Sequence, residues 1–267
     1  MSIDFPQKII FKKIADNSEE IIVGPCHPGY GTTIGNALKR VMLSSLSGGA
    51  IFSIKIKGVQ HEFSTIPNVL EDVVEIILNL KQIHFKVHSD KEVKLVLEAK
   101  GKKELKAKDI KPNSDVEVVT KDIHIATLTS SKAEIKIEMF VKNGIGYWPI
   151  EERGEKKDIG IIAIDAFFNP VKKVGMKIEN TRVKQLTNYE NIIFNIETCG
   201  VFSPIEALKQ SVDILAEQFN FVRENLKSEK KEESKTAKKI EDKKEKEKDK
   251  DKKEKKVKDK KEDKVKK

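Results

Sequence analysis

A glycine-rich stretch, Gly29-Tyr30-Gly31-Thr32-Thr33-Ile34-Gly35, is the part of this 267-residue chain whose residue types and spacing most suggest chemistry. Glycine-rich turns that lead into helices bind nucleotide phosphates through their backbone amides. Here the pattern is G-x-G-x-x-x-G, one residue longer than the dinucleotide-binding motif, and no lysine follows the last glycine as a P-loop requires. The spacing therefore favours a tight turn into a helix. An independent enzyme that binds a nucleotide at this turn is an alternative hypothesis.

Cysteine and histidine are the other residue types that could form a site. Cys26-His27 and Cys199 could supply a thiolate or metal ligands, and His84 and His88 lie four positions apart. A metal site needs three or four converging ligands, and no third ligand lies near His84 in the sequence. We therefore predict no catalytic residue, no metal site and no cofactor in this chain.

The cysteine content and the apolar runs also bear on location. Two cysteines are too few for a disulfide framework, which favours a reducing, cytosolic compartment. No run approaches the ~18 apolar residues that a membrane span needs. Residues 1–6 lack the charged and apolar regions of a secretory signal. The sequence therefore predicts a cytoplasmic protein without a membrane partner.

The elements that must position these residues are both extended and helical. Alternation of apolar and polar residues predicts strands at 54–57, 93–98, 135–139 and 192–197, and shorter apolar runs suggest others at 9–11, 21–23 and 159–164. A first helix is predicted from Thr32 or Thr33 to Gly48-Gly49. A second is predicted from Asn68, with Glu71 completing a capping box. Together these patterns predict an α+β fold.

The third predicted helix has the clearest start. Ser203-Pro204-Ile205-Glu206 combines an N-cap serine, a proline at the first helical position and a capping-box glutamate. Apolar residues then recur at alternating spacings of three and four: Ile205, Leu208, Val212, Leu215, Phe219, Val222 and Leu226. A narrow heptad stripe of this kind favours packing against a partner helix. The alternative is a helix packed on the sheet of its own domain.

The charge of the chain is concentrated in its last residues. The whole chain has a formal charge of +9, from 52 Lys and Arg against 43 Asp and Glu. Residues 227–267 contain 21 Lys and 13 Asp or Glu, which leaves 31 basic and 30 acidic residues in 1–226. This tail has four apolar residues and no aromatic one, so we predict that it is disordered. It could be a solvated spacer or could bind nucleic acid weakly through its lysines.

Three blocks of sequence resemble the alpha subunit of bacterial RNA polymerase, and the resemblance extends over nearly all of residues 1–226. The first block is GYGTTIGNALKRVMLSSL at 29–46. The second is HEFSTIP at 61–67, followed by EDV at 71–73 and IILNLK at 76–81. The third begins with NPV at 169–171, continues to RV at 182–183 and includes residues 197–198 to 215–218. The blocks are long enough to be specific.

The resemblance implies a discontinuous architecture. Residues 1–50 and 173–226 would form a dimerisation subdomain of helices packed on a sheet. Residues 51–172 would form an inserted strand-rich subdomain that contacts large subunits. The charged tail, 227–267, stands where the family usually carries a small helical C-terminal domain that binds upstream promoter DNA and activators. Because the tail has no core-forming sequence, we do not expect it to replace that domain.

The resemblance also implies partners and contact residues. The chain would homodimerise and scaffold the beta and beta-prime subunits, with omega and sigma in the full complex and DNA reached only indirectly. The dimer interface would include Ile34, Leu38, Val41, Leu208, Val212, Leu215, Phe219 and Val222. The family's beta-contacting arginine corresponds to Arg40, beside Lys39, and both Lys81 and Val171 fall in regions that face the large subunits.

These inferences together predict the function. The chain would be a non-catalytic subunit of a DNA-directed RNA polymerase, which is a nucleotidyltransferase, in a bacterial cytoplasm or a plastid. The alternative is a stand-alone nucleic-acid-binding protein that acts through its basic tail.

Overall fold

The computed structural model describes residues 3–89, 91–153 and 160–226. Within these ranges the helices are α1 (Tyr30–Ser44), α2 (Val73–Leu80) and α3, which covers residues 204–226. The strands are β1 (Lys8–Ala15), β2 (Ser18–Cys26), β3 (Ser47–Ile56), β4 (Phe85–Val87), β5 (Val93–Lys100), β6 (Lys103–Lys106), β7 (Val116–Val118), β8 (His124–Leu128), β9 (Glu134–Ile145), β10 (Tyr147–Trp148), β11 (Ile162–Ala163), β12 (Ala166–Phe167), β13 (Val171–Val183) and β14 (Leu186–Thr198). The α+β class predicted from the sequence is confirmed.

The chain divides into two compact units, residues 1–214 and 215–267. The described part of the second unit, 215–226, is helical. The predictions of a disordered tail at 227–267 and of a strand beginning at 159 concern residues outside the described ranges. No helix in the described part of the chain is both long and apolar enough to cross a membrane.

The first sheet has four antiparallel strands in the order β1–β2–β14–β13. Its buried residues include Ile21 on β2 and Ile192, Phe194 and Ile196 on β14, at the alternate positions expected of a sheet with one covered face. The edge strand β1 is exposed along almost its whole length. The first sheet therefore draws its core mainly from β2, β13 and β14.

Helix α1 packs on β13 and β14 through its buried residues Gly31, Gly35, Leu38 and Met42. A Cβ atom on Gly35 would lie 2.6 Å from Sδ of Met176. Glycine at this position therefore lets the helix approach the sheet more closely than a larger residue would allow.

The predicted bounds of α1 were wrong at both ends. The N-cap is Gly29, whose φ of 83° suits glycine, and no side chain caps the helix there. The helix ends at Ser44, and Gly48 already belongs to β3. A Cβ on Gly48 would lie 2.0 Å from the carbonyl oxygen of Phe168. Glycine is therefore needed here because β3 packs closely against the backbone of Phe168, and it does not end the helix.

The second sheet contains strands β5, β9, β3, β4 and β7 in that order, with β11 also paired to β3. Helix α2 packs against β8, and its buried residues Val73, Ile76 and Leu80 belong to the largest hydrophobic core of the described residues. The predicted capping box of α2 was wrong, because Asp72 is the N-cap and accepts a 2.7 Å hydrogen bond from the N–H of Glu75. Asn68 precedes the helix with φ 60°, and Glu71 bonds to β8 instead.

The start of α3 is the one predicted from the sequence. The N–H of Ser203 donates to Oε2 of Glu206 at 3.0 Å, and the N–H of Glu206 donates to Oγ of Ser203 at 3.2 Å. The predicted capping box is therefore confirmed. In the first unit, the buried residues of this helix are Pro204, Ala207, Leu208 and Ser211.

Candidate protein-contact surfaces

The predicted beta contact, Arg40, lies on α1 and is exposed, while its neighbour Lys39 is half-buried. Neither side chain forms an ion pair with any residue in the described ranges. The backbone carbonyl of Arg40 accepts a hydrogen bond from Oγ of Ser44 at 2.8 Å. An exposed guanidinium without an internal partner can form bidentate hydrogen bonds with a carboxylate or carbonyl groups of another chain.

Lys81 follows α2 and forms an ion pair with Asp165, with Nζ 3.5 Å from Oδ2. The other carboxylate oxygen of Asp165 accepts a hydrogen bond from the N–H of Ile150 at 3.1 Å. The pair lies at the edge of a cavity of about 140 Å³, whose lining also includes Tyr147 and Phe167. The predicted contact residue is thus held in place by a carboxylate from the strand-rich region.

Two exposed aromatic side chains stand beside this ion pair. Tyr147 on β10 and Phe167 on β12 are opposite each other across the two-stranded ribbon, and they are 58% and 59% exposed. Desolvation of the phenol, followed by the charge of Asp165, raises the pKa of Tyr147 above its ordinary value. Aromatic residues around a charged group are typical of protein-contact surfaces.

Val171 differs from the other predicted contacts because its side chain is buried, with 2% exposed. It is the first residue of β13, and its N–H donates to Oδ1 of Asn169 at 3.0 Å. The side chain therefore belongs to the core of the described chain. Its contact with a large subunit stays a prediction.

The predicted dimer residues of α1 occupy different environments. Leu38 is 7% exposed and lies on the buried face of the helix, which packs on its own sheet. Ile34 and Val41 are half-buried on the flank of that face. Of these three positions, only Ile34 and Val41 have surface left for a partner.

The heptad stripe of α3 is likewise not a single exposed face. Leu208 is buried, with 8% of its surface exposed, whereas Ile205 and Val212 are 40% and 46% exposed. The reason is that the buried face of the helix is formed by Pro204, Ala207, Leu208 and Ser211. In the second unit, Leu215 is half-buried, and the exposed residues are Phe219 (67%), Phe221 (68%), Val222 (55%) and Leu226 (61%). Within each unit, taken by itself, most of the stripe residues are therefore available for contact with another chain.

The turn into α1 is occupied by a carboxylate. The N–H of Gly31 donates to Oε2 of Glu190 at 2.9 Å. A nucleotide phosphate would have to displace this negative charge from the helix N-terminus. The arrangement therefore argues against the nucleotide-binding alternative.

The two cysteines are buried and unpaired. Burial, assisted by the charge of Glu190, raises the pKa of the Cys26 thiol, and burial also raises that of Cys199. Protonated, buried thiols are poor nucleophiles and poor metal ligands. Among the residues that the structure describes, no group of three or more His, Cys, Asp or Glu side chains could hold a metal ion.

Arg153 joins several segments beside the exposed aromatic pair, a role that no local sequence pattern indicates. Its guanidinium donates hydrogen bonds to the carbonyls of Phe52 (2.6 Å), Trp148 (3.0 Å) and Ile164 (2.6 Å). It also stacks over the Trp148 ring, 4.3 Å from the ring centroid. Arg153 therefore fixes the ribbon that carries Tyr147 to the second sheet.

Asp165 and Asn169 were also missed by sequence reasoning, although Asn169 begins the NPV block. Asp165 pairs with a lysine 84 positions away, and Asn169 bonds to the carbonyl of Leu43, 126 positions away. Contacts between such distant positions leave no periodic pattern in a single sequence.

Comparison with known proteins identifies the family. A family model described as the RNA polymerase Rpb3/RpoA insert domain matches residues 54–169, which contain α2 and strands β4 to β12. The subunit alpha of DNA-directed RNA polymerase from Aquifex aeolicus is 41% identical over 227 residues, covering 85% of this chain and 71% of that protein. The Thermus thermophilus subunit alpha is 45% identical over 204 residues, covering 76% and 64% respectively. The Salinibacter ruber subunit is 42% identical over 221 residues, covering 82% and 67%.

The insert-domain match places residues 54–169 in a class of domain found in RNA polymerase subunits. Within that class, the chain belongs to the family of DNA-directed RNA polymerase alpha subunits. It spans about two thirds of the length of these relatives, from 64% to 71%.

Proposed function

We propose that this chain is an assembly subunit of a DNA-directed RNA polymerase, in which two copies pair and form a platform for the beta and beta-prime subunits. Membership of the alpha-subunit family supports this role. In this proposal the chemistry of nucleotide addition belongs to the large subunits, and the chain itself contributes no catalytic residue. Omega, sigma and DNA would join through the complex.

The observation that carries the proposal is the exposed apolar surface of α3. Phe219, Val222 and Leu226, all in the second unit, are each more than half exposed. Removing apolar surface from water gains free energy of ~25 cal/mol per Å². Contiguous exposed apolar patches therefore mark interaction sites. A second copy of the same helix would cover this surface with the same residues, as a two-fold interface requires.

The first sheet and α1 support a dimerisation part made from 1–50 and 173–226. They bring together β1 and β2 from the start of the chain and β13 and β14 from its later part. The second sheet and α2 support an inserted part at 51–172. In this division, β3 begins at Ser47 and leads from the first part into the second.

Two separate positions are proposed for contact with the large subunits. Arg40, with Lys39 beside it, would contact beta, because its guanidinium is exposed and forms no ion pair within the described part of the chain. Lys81 and the region of Val171 would face the large subunits. The exposed Tyr147 and Phe167 beside Lys81 would supply apolar contact area to that interface.

The test is co-expression of the full chain with the beta and beta-prime subunits, followed by capture and mass determination. We expect a dimer of this chain when it is expressed alone and a complex with both large subunits when it is co-expressed. A monomer that captures neither subunit would contradict the proposal. Nucleic-acid affinity that disappears when residues 228–267 are deleted, without capture of large subunits, would instead favour the stand-alone nucleic-acid-binding protein.

A further inference from the structure

The cavity beside the Lys81–Asp165 ion pair lies between the end of α2, strand β3 and the ribbon of β10 and β12. Its volume is about 140 Å³. Its walls are mainly apolar and include Ala50, Ile51, Leu80, Ile83, Tyr147 and Phe167. Tyr147 and Phe167 are more than half exposed, whereas the other four are buried. The floor of the cavity therefore belongs to the core, and the two aromatic rings form its mouth.

The lining of this cavity suits an apolar group better than water. A water molecule is stable inside a protein where two to four polar partners surround it. Among the described lining residues, the charged side chains are Lys81 and Asp165, and they bind each other. A cavity of ~150 Å³ lined by leucine, isoleucine and phenylalanine admits benzene. The cavity therefore has the size and lining to take one aliphatic side chain.

Lys81 has hydrogen-bonding capacity left at the edge of the cavity. It is the C-cap residue of α2, and its backbone N–H donates to the carbonyl of Ile77 at 3.0 Å, which fixes its position. An ammonium group has three donors. Within the described ranges, the ion pair of Nζ is with Oδ2 of Asp165, whose Oδ1 accepts from the N–H of Ile150. Nζ can therefore donate to a backbone carbonyl of the chain that fills the cavity.

The mouth of the cavity is formed before any partner binds. Tyr147 and Phe167 are opposite each other across the ribbon. Arg153 donates to the carbonyls of Trp148 and Ile164, which are close to these two residues in the chain. A site whose walls are already in place requires less ordering on binding and therefore binds more tightly.

We propose that this cavity receives one aliphatic side chain (leucine, isoleucine or methionine) from a large subunit, and that Nζ of Lys81 donates to a backbone carbonyl of the same segment. The inference rests on the function proposed above and adds the chemistry of the partner at the position of Lys81. Apolar anchors that fill a pocket at the centre of an interface supply most of the binding energy of many protein complexes.

The first experiment identifies the occupant. Phe167→benzoylphenylalanine, a photo-crosslinking substitution at the mouth of the cavity, is introduced into the full chain. The variant is co-expressed with beta and beta-prime, and the purified complex is irradiated. We expect a crosslink to a segment of one large subunit that contains an aliphatic residue, located by mass spectrometry. A crosslink to another copy of this chain alone, to a segment without an aliphatic residue, or to neither large subunit would overturn the inference.

The second experiment measures the contribution of the cavity wall. Tyr147→Ser removes one wall, and we expect capture of the crosslinked large subunit to weaken about tenfold. Tyr147→Phe keeps the wall and should capture as the wild type does. The matched control is Phe5→Ser, which removes an aromatic side chain that is 85% exposed and does not line the cavity. Thermal denaturation and sedimentation establish that each variant remains folded with unchanged mass.

A double-mutant cycle separates insertion into the cavity from general apolar contact. The aliphatic residue of the crosslinked segment is replaced by alanine, alone and together with Tyr147→Ser. If its side chain fills the cavity, the two losses overlap, and the double variant binds little more weakly than either single variant. Losses that multiply would contradict the inference, and so would wild-type capture by a folded Tyr147→Ser variant.

Two further outcomes have defined meanings. If Tyr147→Ser fails to fold, Phe167→Ser removes the opposite wall and completes the same cycle. Failure of the wild-type chain to capture either large subunit would refute the proposed function itself, whereas normal capture that is insensitive to both walls would refute the inference alone.

Discussion

The carboxylate of Glu190 on β14 accepts a hydrogen bond of 2.9 Å from the backbone N–H of Gly31, in the first turn of α1. The first N–H groups of a helix have no partner within it, and a negative charge beside them is stabilising. No local side chain caps this helix. A residue 159 positions away therefore supplies the missing acceptor and helps to seat α1 on the first sheet.

The close approach of α1 to the first sheet predicts that Gly35→Ala destabilises the chain. The added Cβ would lie 2.6 Å from Sδ of Met176 and 3.2 Å from Cγ2 of Ile192. Overpacking typically costs ~1–3 kcal/mol, whereas alanine gains ~1 kcal/mol over glycine within a helix. We expect a net loss of about 1 kcal/mol in the free energy of unfolding, measured by urea denaturation.

Gly175→Ala is the matched control for this prediction. Its Cβ would lie 3.4 Å from Cβ of Asn195, which is an ordinary contact, so stability should change by less than ~0.5 kcal/mol. Equal effects of the two substitutions would mean that close packing at Gly35 is not what limits the approach of α1.

Local sequence patterns predicted the elements whose determinants are adjacent in the chain. The capping box of Ser203 and Glu206 was found because both partners lie within one turn of helix. The strands at 93–98 and 192–197 were found because alternation exposes one face of each. Arg40 was selected by family resemblance, since an exposed arginine on a helix has no distinctive pattern of its own.

Features that depend on distant contacts were missed or misassigned. Leu208 lies in the heptad stripe and Leu38 was assigned to the dimer interface by family resemblance, and their place in that interface stays a prediction. Both are buried within the chain, and an apolar residue in a sequence does not reveal which surface covers it. Glu71 was assigned to a helix cap, yet it bonds to Thr127, 56 positions away. Asn169 likewise bonds to the carbonyl of Leu43, 126 positions away.

The Glu71 network predicts a pH-dependent contribution to stability. One oxygen of Glu71 accepts from Nε2 of His124 at 2.8 Å and from Oγ1 of Thr127 at 3.0 Å, and the other accepts from the N–H of Thr127 at 2.6 Å. Burial alone would raise the pKa of Glu71, but these hydrogen bonds outweigh it and lower the pKa below its ordinary value of 4.5. The resulting stability is fully present above pH 4.5 and is lost as the pH falls through the lowered pKa of the folded state.

We therefore expect Glu71→Gln to be less stable than the wild type by about 1–3 kcal/mol at pH 5.5. The difference should shrink towards pH 3, as the wild-type carboxylate becomes protonated. Urea denaturation across this range measures it. Glu117→Gln, at an exposed position of β7, is the control and should show little difference at either pH. A gap between Glu71→Gln and the wild type that is constant with pH would contradict the assignment.

The exposed part of α3 predicts a monomer when charges are introduced into it. Leu215→Glu combined with Phe219→Glu would place two unpaired charges in the proposed dimer interface, where burial is strongly unfavourable. We expect monomers or insoluble protein in analytical sedimentation. The pair Gln218→Glu and Asn220→Asp adds the same two charges at exposed polar positions of the same helix and should leave the dimer intact. A dimer that survives the first pair would place the interface elsewhere.

The exposed guanidinium of Arg40 predicts a variant that separates folding from recruitment. Arg40→Ala removes no ion pair within the described part of the chain, so stability should change by less than ~0.5 kcal/mol and the dimer should persist. Loss of a bidentate, charge-assisted contact should weaken beta capture by about tenfold or more. Lys102→Ala, which removes another exposed cation, should capture beta normally. Both variants lose one positive charge, so a difference between them reports the position of that charge and not the net charge. Equal capture by Arg40→Ala and Lys102→Ala would show that the beta contact is made by other residues.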